Sequence, residues 1–409
     1  MTRYRWTVCA LIFAATTVNY IDRQVLALLE PILKDQFGWT KFQYGEINAA
    51  FQIAYALGMV SLGGLFDRWG TRISYALVMG VWSVAAAAHA AAASAFGFGV
   101  ARFSLGLGES GNFPVAIKSV AEWFPKRERA LATGIFNAGT NTGAILAPLG
   151  VPFLVAWWGW RAAFIATGLI GFVWLLFWLR MYGSPKAHPR VSPSERDLIE
   201  SDHEPEVENA PWLPLFAKRE TWAIVVGKFL TDPIWWFYLT WLPPLLHDRF
   251  GLDLKTFGPP VAAVYLVADG GSIAGGWLSS WLLKKTGDVN RARKTAMLVC
   301  ALCVLPVAIA DSVQSVWIAI AVISLAAAAH QGWSANLFTL ASDLFPQRSV
   351  ASVVGIGGMA GAIGGTIFQL IVGACASYVV PFVVAACAYL LGLLFIHLLS
   401  PKFKSTAAA

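Results

Sequence analysis

Residues 101–114 read ARFSLGLGESGNFP. Inside this stretch Gly106, Gly108 and Gly111 satisfy G-x-G-x-x-G, the pattern of a dinucleotide-binding turn. Such a turn follows a β-strand and opens a helix, so on that reading the chain is an α/β protein. The surroundings decide against it. The glycines lie inside an apolar segment at about residues 98–122, with no strand-like run before it, and they flank two charged residues, Arg102 and Glu109. In such a segment glycines let a neighbouring helix come close, and the ionisable residues become the feature that needs explaining.

That segment is one of many. The chain has 409 residues, of which 57% are hydrophobic and 13% charged. Soluble domains carry roughly 25% charge. A bilayer-spanning helix needs about 20 mostly apolar residues. Twelve such segments are readable, among them 6–29, 98–122, 130–156, 161–182 and 220–246. The first is too long and, at NYIDR (19–23), too polar for a cleaved leader, and no small-residue cleavage site follows its apolar core. The expected fold class is therefore an all-α membrane protein with twelve transmembrane helices. Of the Lys and Arg residues in loops, tails or span edges, 21 fall on one side and 5 on the other, which predicts cytoplasmic termini. The net charge of +7 follows from this bias and calls for no nucleic acid. Cys300 and Cys303 form a C-x-x-C in LVCALCVL, without the exposure or further ligands that redox or zinc chemistry needs. Packing is expected of the cysteines, and neither a metal nor another cofactor.

Residues 183–219 are rich in Pro, Ser and charge and read as a cytoplasmic linker, with a short surface helix around SERDLIE (194–200). Residues 1–182 and 220–409 then form two six-helix halves. The halves resemble each other. PILKDQFG (31–38) matches PLLHDRFG (244–251), and FPKRERALATGI (124–135) matches FPQRSVASVVGI (345–356). An even number of spans per copy keeps both in the same orientation, with the axis relating them along the membrane normal. Halves of this kind rock about a central site.

GGLFDRWGTR (63–72) resembles the major facilitator superfamily signature G-x-x-x-D-R-x-G-x-R, with Thr71 where a basic residue is common. NYIDR in the first span and R-x-x-x-G-x-G-E at 102–109 resemble the anion:cation symporters of organic acids. KFLTDPIWWFYLTWLP (228–243) and GIGGMAGAIGG (355–365) resemble bacterial hexuronate transporters. The resemblance implies a proton-coupled symporter in a bacterial inner membrane. It would import a small sugar-acid anion, galacturonate or glucuronate, by alternating access, as a monomer and with protons as the coupling ion. A transporter of another organic anion, such as an aldonate, aldarate or aromatic carboxylate, is the alternative. Gly358 stands where the aldonate-type pattern has asparagine. No H-E-x-x-H, G-x-S-x-G or metal cluster points to an enzyme.

The residues themselves narrow the chemistry. Arg102 and Glu109 are seven apart, on one helix face and about 10 Å apart along the axis. Apolar surroundings favour a neutral Glu109 and a guanidinium favours the carboxylate, so this group can exchange a proton; a static ion pair is the structural alternative. Asp22 and Arg23 point about 100° apart. An arginine fork suits a carboxylate, giving two parallel hydrogen bonds. The resemblance implies that Arg23 contacts the substrate carboxylate, that Asp22 and Glu109 are the protonation sites, and that Arg102 tunes Glu109.

In the second repeat Trp235 and Trp236 occupy the positions of Asp22 and Arg23, and His330 that of Glu109. Indole rings suit a pyranose, and packing is the alternative. Tyr20, Tyr55, Asn137, Thr140, Trp333 and Asn336 are further candidates for substrate contact, and His330 for titration or packing. Lys228 and Asp232 read as a structural i,i+4 pair. Gly63, Asp67 and Arg68 are expected in a cytoplasmic gating network.

Overall fold

The computed structural model describes residues 3–201, 212–345 and 347–403. Among these residues the chain is helical and contains no β-strand. The helices are α1 Tyr4–Phe37, α2 Lys41–Ser61, α3 Gly63–Ala88, α4 Ala95–Glu109, α5 Asn112–Trp123, α6 Lys126–Met181 and α7 Pro193–Glu200. They continue with α8 Trp212–Leu215, α9 Arg219–Phe250, α10 Gly258–Thr286, α11 Val289–Val304, α12 Val316–Leu344, α13 Gln347–Ala374 and α14 Val379–Leu399. They pack as two compact units: Met1–Leu29 with Ala50–Glu206, and Glu30–Ala49 with Val207–Ala409.

Many helices carry large apolar side chains on their outer faces: Phe96 is 82% exposed and Ile273 76%, with Leu57, Val84 and Trp157 alongside. Asn19, Asp22, Arg23, Gln24 and Glu109 are buried instead. Apolar outside and ionisable inside is the arrangement a bilayer favours. By length and composition, 7 stretches among the described residues suffice to cross a membrane: Arg68–Ala91, Leu131–Met181, Gly258–Thr286, Val289–Ile309, Val316–Leu344, Ser352–Ala374 and Val379–Leu399. The sequence reading counts more, for physical reasons. Helices α1, α2 and α9 are long enough, at 34, 21 and 32 residues, but their charged and amide side chains lower their hydropathy. The 51-residue stretch Leu131–Met181 is not one straight rod, because Gly159 (φ 78°, ψ 172°) breaks α6 where the sequence separates 130–156 from 161–182.

The segment 98–122 is expected as one helix and is two. Helix α4 stops at Glu109 and α5 begins at Asn112. Pro114 has no N–H to offer the Ser110 carbonyl, so the ladder fails there. The glycines around the break are packing devices. A Cβ on Gly108 would lie 2.8 Å from the Trp82 backbone nitrogen, one on Gly111 2.6 Å from Val78 Cγ2, and one on Gly106 would strike the Phe51 carbonyl oxygen. Helices α2 and α3 thus approach the 106–111 stretch at backbone distance.

The two repeated motifs share local geometry. Gly38 and Gly251 both take φ 65° where α1 and α9 end, a left-handed conformation that favours glycine. Phe124 and Phe345 both leave their helices in extended conformation, each donating its N–H four residues back, to Val120 and Ala341. The signature at 63–72 is placed in a loop by its sequence. It is helical up to a reversal at Gly70 (φ 71°, ψ 160°). The surroundings of Gly63 and the side chain of Asp67 lie outside the described residues, and Arg68 is exposed. Thr71, at the position where a basic residue is common, donates to Glu122, whose other oxygen accepts from the Tyr182 hydroxyl at 2.6 Å.

The expected surface helix of the linker is α7, and it is docked rather than free. Ser192 Oγ caps it by accepting the Glu195 N–H at 3.3 Å. Glu195 itself is buried and accepts the backbone N–H of Tyr4 (3.0 Å) and of Arg5 (3.1 Å) and Arg5 Nη1 (3.0 Å). A linker carboxylate therefore satisfies the open N–H groups at the start of α1.

Candidate functional site

The first unit gathers its buried charges around the middle of α1. Two glycines of α6 allow this: a Cβ on Gly139 would lie 2.6 Å from the Phe13 carbonyl oxygen, and one on Gly143 2.8 Å from Tyr20 Cβ. Arg23 Nε lies 2.5 Å from Glu109 Oε2, with the two side chains 4% and 0% exposed. The Arg23 guanidinium also sits 4.7 Å from the Tyr20 ring centroid, 5.0 Å from Tyr55 and 5.3 Å from Phe51. Tyr20 and Tyr55, expected to offer hydroxyls, thus meet Arg23 with their rings, a cation–π arrangement.

Arg102, expected to tune Glu109, is hydrogen-bonded to the backbone of α1. It donates through Nη2 to the Arg23 carbonyl oxygen at 2.8 Å, and its guanidinium lies 5.5 Å from the Phe51 ring. The Glu109 carboxylate goes to Arg23 instead. Two turns of helix hold Arg102 about 10 Å below Glu109, beyond ion-pair contact along one axis. Arg102 remains near enough to act electrostatically on both Glu109 and Asp22. Asp22 is buried beside Glu109, Arg102 and the Thr167 side chain, and makes no ion pair among the described residues. The cluster therefore holds two carboxyl groups and two guanidiniums.

Two residues of this site were missed by sequence reasoning. Asn19 lies beside Glu109. Asn112 accepts from the Tyr75 hydroxyl at 2.7 Å through Oδ1 and donates to Thr16 Oγ1 at 3.5 Å through Nδ2. Amides in mid-span positions were the available signal. Thr140 is buried on α6, whereas Asn137 is exposed.

In the second unit the candidates form an aromatic block. Trp235 is buried, stacked on His330 (centroids 5.3 Å, interplanar 7°) and edge-on to Tyr265 (5.8 Å, 80°). His330 Nδ1 and the Tyr389 hydroxyl are hydrogen-bonded at 2.7 Å. Trp333, fully buried, packs edge-on to Tyr389 at 5.4 Å. Asn336 Nδ2 donates to the carbonyls of Gly332 (2.9 Å) and Gly275 (3.3 Å), a helix-to-helix bond. Trp236 points about 100° from Trp235 and is half-buried. The expected i,i+4 pair is present, with Lys228 Nζ 2.7 Å from Asp232 Oδ2.

Comparison with known proteins follows this geometry. The family model of the Major Facilitator Superfamily matches residues 12–369. The Hexuronate transporter of Escherichia coli (strain K12) is 32% identical over 381 residues, covering 91% of this chain and 88% of the relative. The Galacturonate transporter of Dickeya chrysanthemi is 32% identical over 291 residues, covering 70% and 84%. The D-galactonate transporter of Escherichia coli O6:H1 is 29% identical over 384 residues, covering 91% and 89%. Among solved structures, the fold is similar to the inward-open xylose transporter XylE from E. coli, with TM-score 0.77, 15% identity and 98% of each chain covered. It is also similar to a bacterial homologue of the human lysosomal transporter Spinster, with TM-score 0.76, 18% identity and 98% of each chain covered.

Proposed function

This chain belongs to the major facilitator superfamily, and on that premise we propose that it is a proton-coupled symporter importing a hexuronate, galacturonate or glucuronate. The relatives quoted above are transporters rather than enzymes, and the substrates they are named for are sugar acids. The chain crosses a bacterial inner membrane twelve times with both termini in the cytoplasm and works as a monomer by alternating access.

The observation that carries this reading is the charge balance around Arg23. With both carboxyl groups ionised, Asp22 and Glu109 together offset Arg23 and Arg102. A substrate carboxylate added to this set makes it negative, unless a carboxyl group takes a proton first. A charge in a low-dielectric site needs such compensation. Protonation of Glu109 breaks its ion pair and releases the Arg23 fork to the substrate carboxylate. Asp22 supplies the second exchangeable site. Inside the cell the higher pH removes the protons, Glu109 re-forms its pair with Arg23, and the substrate leaves. One proton with a monoanion moves no net charge. A second proton makes the cycle electrogenic, worth about 2.3 kcal/mol per 100 mV.

The test is uptake of radiolabelled sugar acids by proteoliposomes containing the purified protein, with the outside made acidic. Galacturonate or glucuronate should accumulate above equilibrium, and a collapsed pH gradient should abolish accumulation. Accumulation of an aldonate or aldarate with no hexuronate uptake contradicts the substrate assignment.

A further inference from the structure

The second unit carries a buried ion pair of its own, which the function above does not use. Lys228 and Asp232 sit one turn apart on α9, with side chains 8% and 19% exposed. Helix α13 is built around them. A Cβ on Gly357 would lie 2.8 Å from Lys228 Cδ, and one on Gly361 would strike the Asp232 carboxylate. The glycines of GIGGMAGAIGG therefore bring the backbone of α13 against the ion pair itself.

Helix α9 is weakened at the same level. Pro233 follows Asp232 and has no N–H for the Phe229 carbonyl. Gly364 of α13 lies against that carbonyl, where a Cβ would collide with its oxygen. The side-chain bridge from residue 228 to residue 232 spans the same turn as the missing backbone bond. Forming or opening the bridge therefore acts on a turn of α9 that lacks a backbone bond and on the approach of α13 together.

Groups from three neighbouring helices face the pair. From α12, Phe338 lies under the ammonium at 4.4 Å, and His330 is within electrostatic reach of Lys228. From α14, Tyr389 is within reach of Asp232 and is hydrogen-bonded to His330. From α13, Gly357 and Gly361 lie against the pair. The Trp333 indole N–H and the Tyr238 hydroxyl, both in this block, are buried without a hydrogen-bond partner among the described residues. Stability alone does not require this arrangement, because two apolar side chains of similar volume often replace a buried ion pair without loss. The Asp232 side chain is the more exposed member of the pair.

We propose that Lys228–Asp232 is a proton-exchanging pair of the transport cycle, in which Asp232 takes up a proton and releases Lys228, then loses the proton and re-forms the bridge. The proton comes from water on one side of the membrane and returns to water on the other, and no bond but the carboxyl O–H is made or broken. The inference rests on the proton-coupled reading above.

The experiment is the proton-to-substrate ratio in proteoliposomes, read from the imposed pH and voltage gradients at which galacturonate flux reverses. Wild type is compared with Lys228→Met/Asp232→Leu, which keeps the volume and removes both charges, and with Asp232→Asn. In both variants the ratio should fall by about one proton per substrate while galacturonate exchange persists. An unchanged ratio in either variant overturns the role of the pair and leaves the function standing. Wild type without pH-driven uptake overturns both.

Discussion

Arg23 Nε and Glu109 Oε2 lie 2.5 Å apart inside the first unit, joining helices whose residues are 86 positions apart in sequence. The same arginine has three aromatic rings within 5.3 Å. Its guanidinium is held in place, and its carboxylate partner Glu109 is a group that can be neutralised. Glu109→Gln removes the exchangeable proton and keeps the shape. Proton-driven accumulation of substrate should be lost, while exchange of labelled for unlabelled substrate continues. Counterflow and net uptake, measured on the same vesicles, check this. Full accumulation by the variant contradicts the assignment of Glu109.

Arg23→Lys keeps the charge and loses the planar fork. Two parallel hydrogen bonds to a carboxylate become one, and stacking against Tyr20, Tyr55 and Phe51 weakens. The apparent KM for galacturonate should rise about tenfold or more, corresponding to roughly 1.4 kcal/mol or more. Maximal exchange rate should change less than KM. A variant with wild-type KM means that Arg23 does not hold the carboxylate.

How much of this was legible in the sequence depends on how local each cause is. Apolar length and the duplicated motifs are local, and the matching geometry of Gly38 and Gly251 follows from the repeat. The break between α4 and α5 was also written locally, in Pro114, but the continuous hydrophobicity of 98–122 masked it. The partner of Glu109 was not legible. Helical spacing places Arg102 on its face, whereas the ion pair goes to Arg23 on another helix, a choice made by tertiary packing. Trp235 reads as a sugar platform, yet it is stacked on a histidine 95 positions away. Glu195 reads as a solvated linker carboxylate and is buried because the start of α1 arrives above it.

The glycines of 106–111 give a packing prediction. Gly108→Leu places a side chain where the Trp82 backbone lies 2.8 Å from the first carbon, with no flexible neighbour to give way. Loss of stability of about 1–3 kcal/mol or more is expected, seen as a lower unfolding temperature in detergent. Gly134→Ala, on α6, has open space at its Cβ and is the control, with no loss of stability and a gain of up to about 1 kcal/mol. Equal effects of the two substitutions contradict the close approach of α3 to α4.

The docked linker gives a pH prediction. His188 stacks on Tyr4 at 4.5 Å and bonds the Met181 carbonyl oxygen at 3.1 Å. Burial, and secondarily Arg190, hold its imidazole below the ordinary value of about 6.5. The folded protein therefore keeps His188 neutral while the unfolded chain takes up a proton. Stability from this group is fully present above the ordinary value and is lost as pH falls below it. Between pH 8 and pH 5.5 the unfolding temperature of wild type should drop more than that of His188→Gln, by on the order of 1–2 °C. Parallel curves mean that the histidine is not held neutral by its contacts.

The central claim is that a sugar acid and protons move inward together. Proteoliposomes in weakly buffered medium, with no imposed gradient and with a potassium ionophore to dissipate voltage, are given galacturonate while the external pH is recorded. The account predicts prompt alkalinisation of the medium that saturates with galacturonate and disappears in Glu109→Gln. Galacturonate entering with no change in external pH contradicts it.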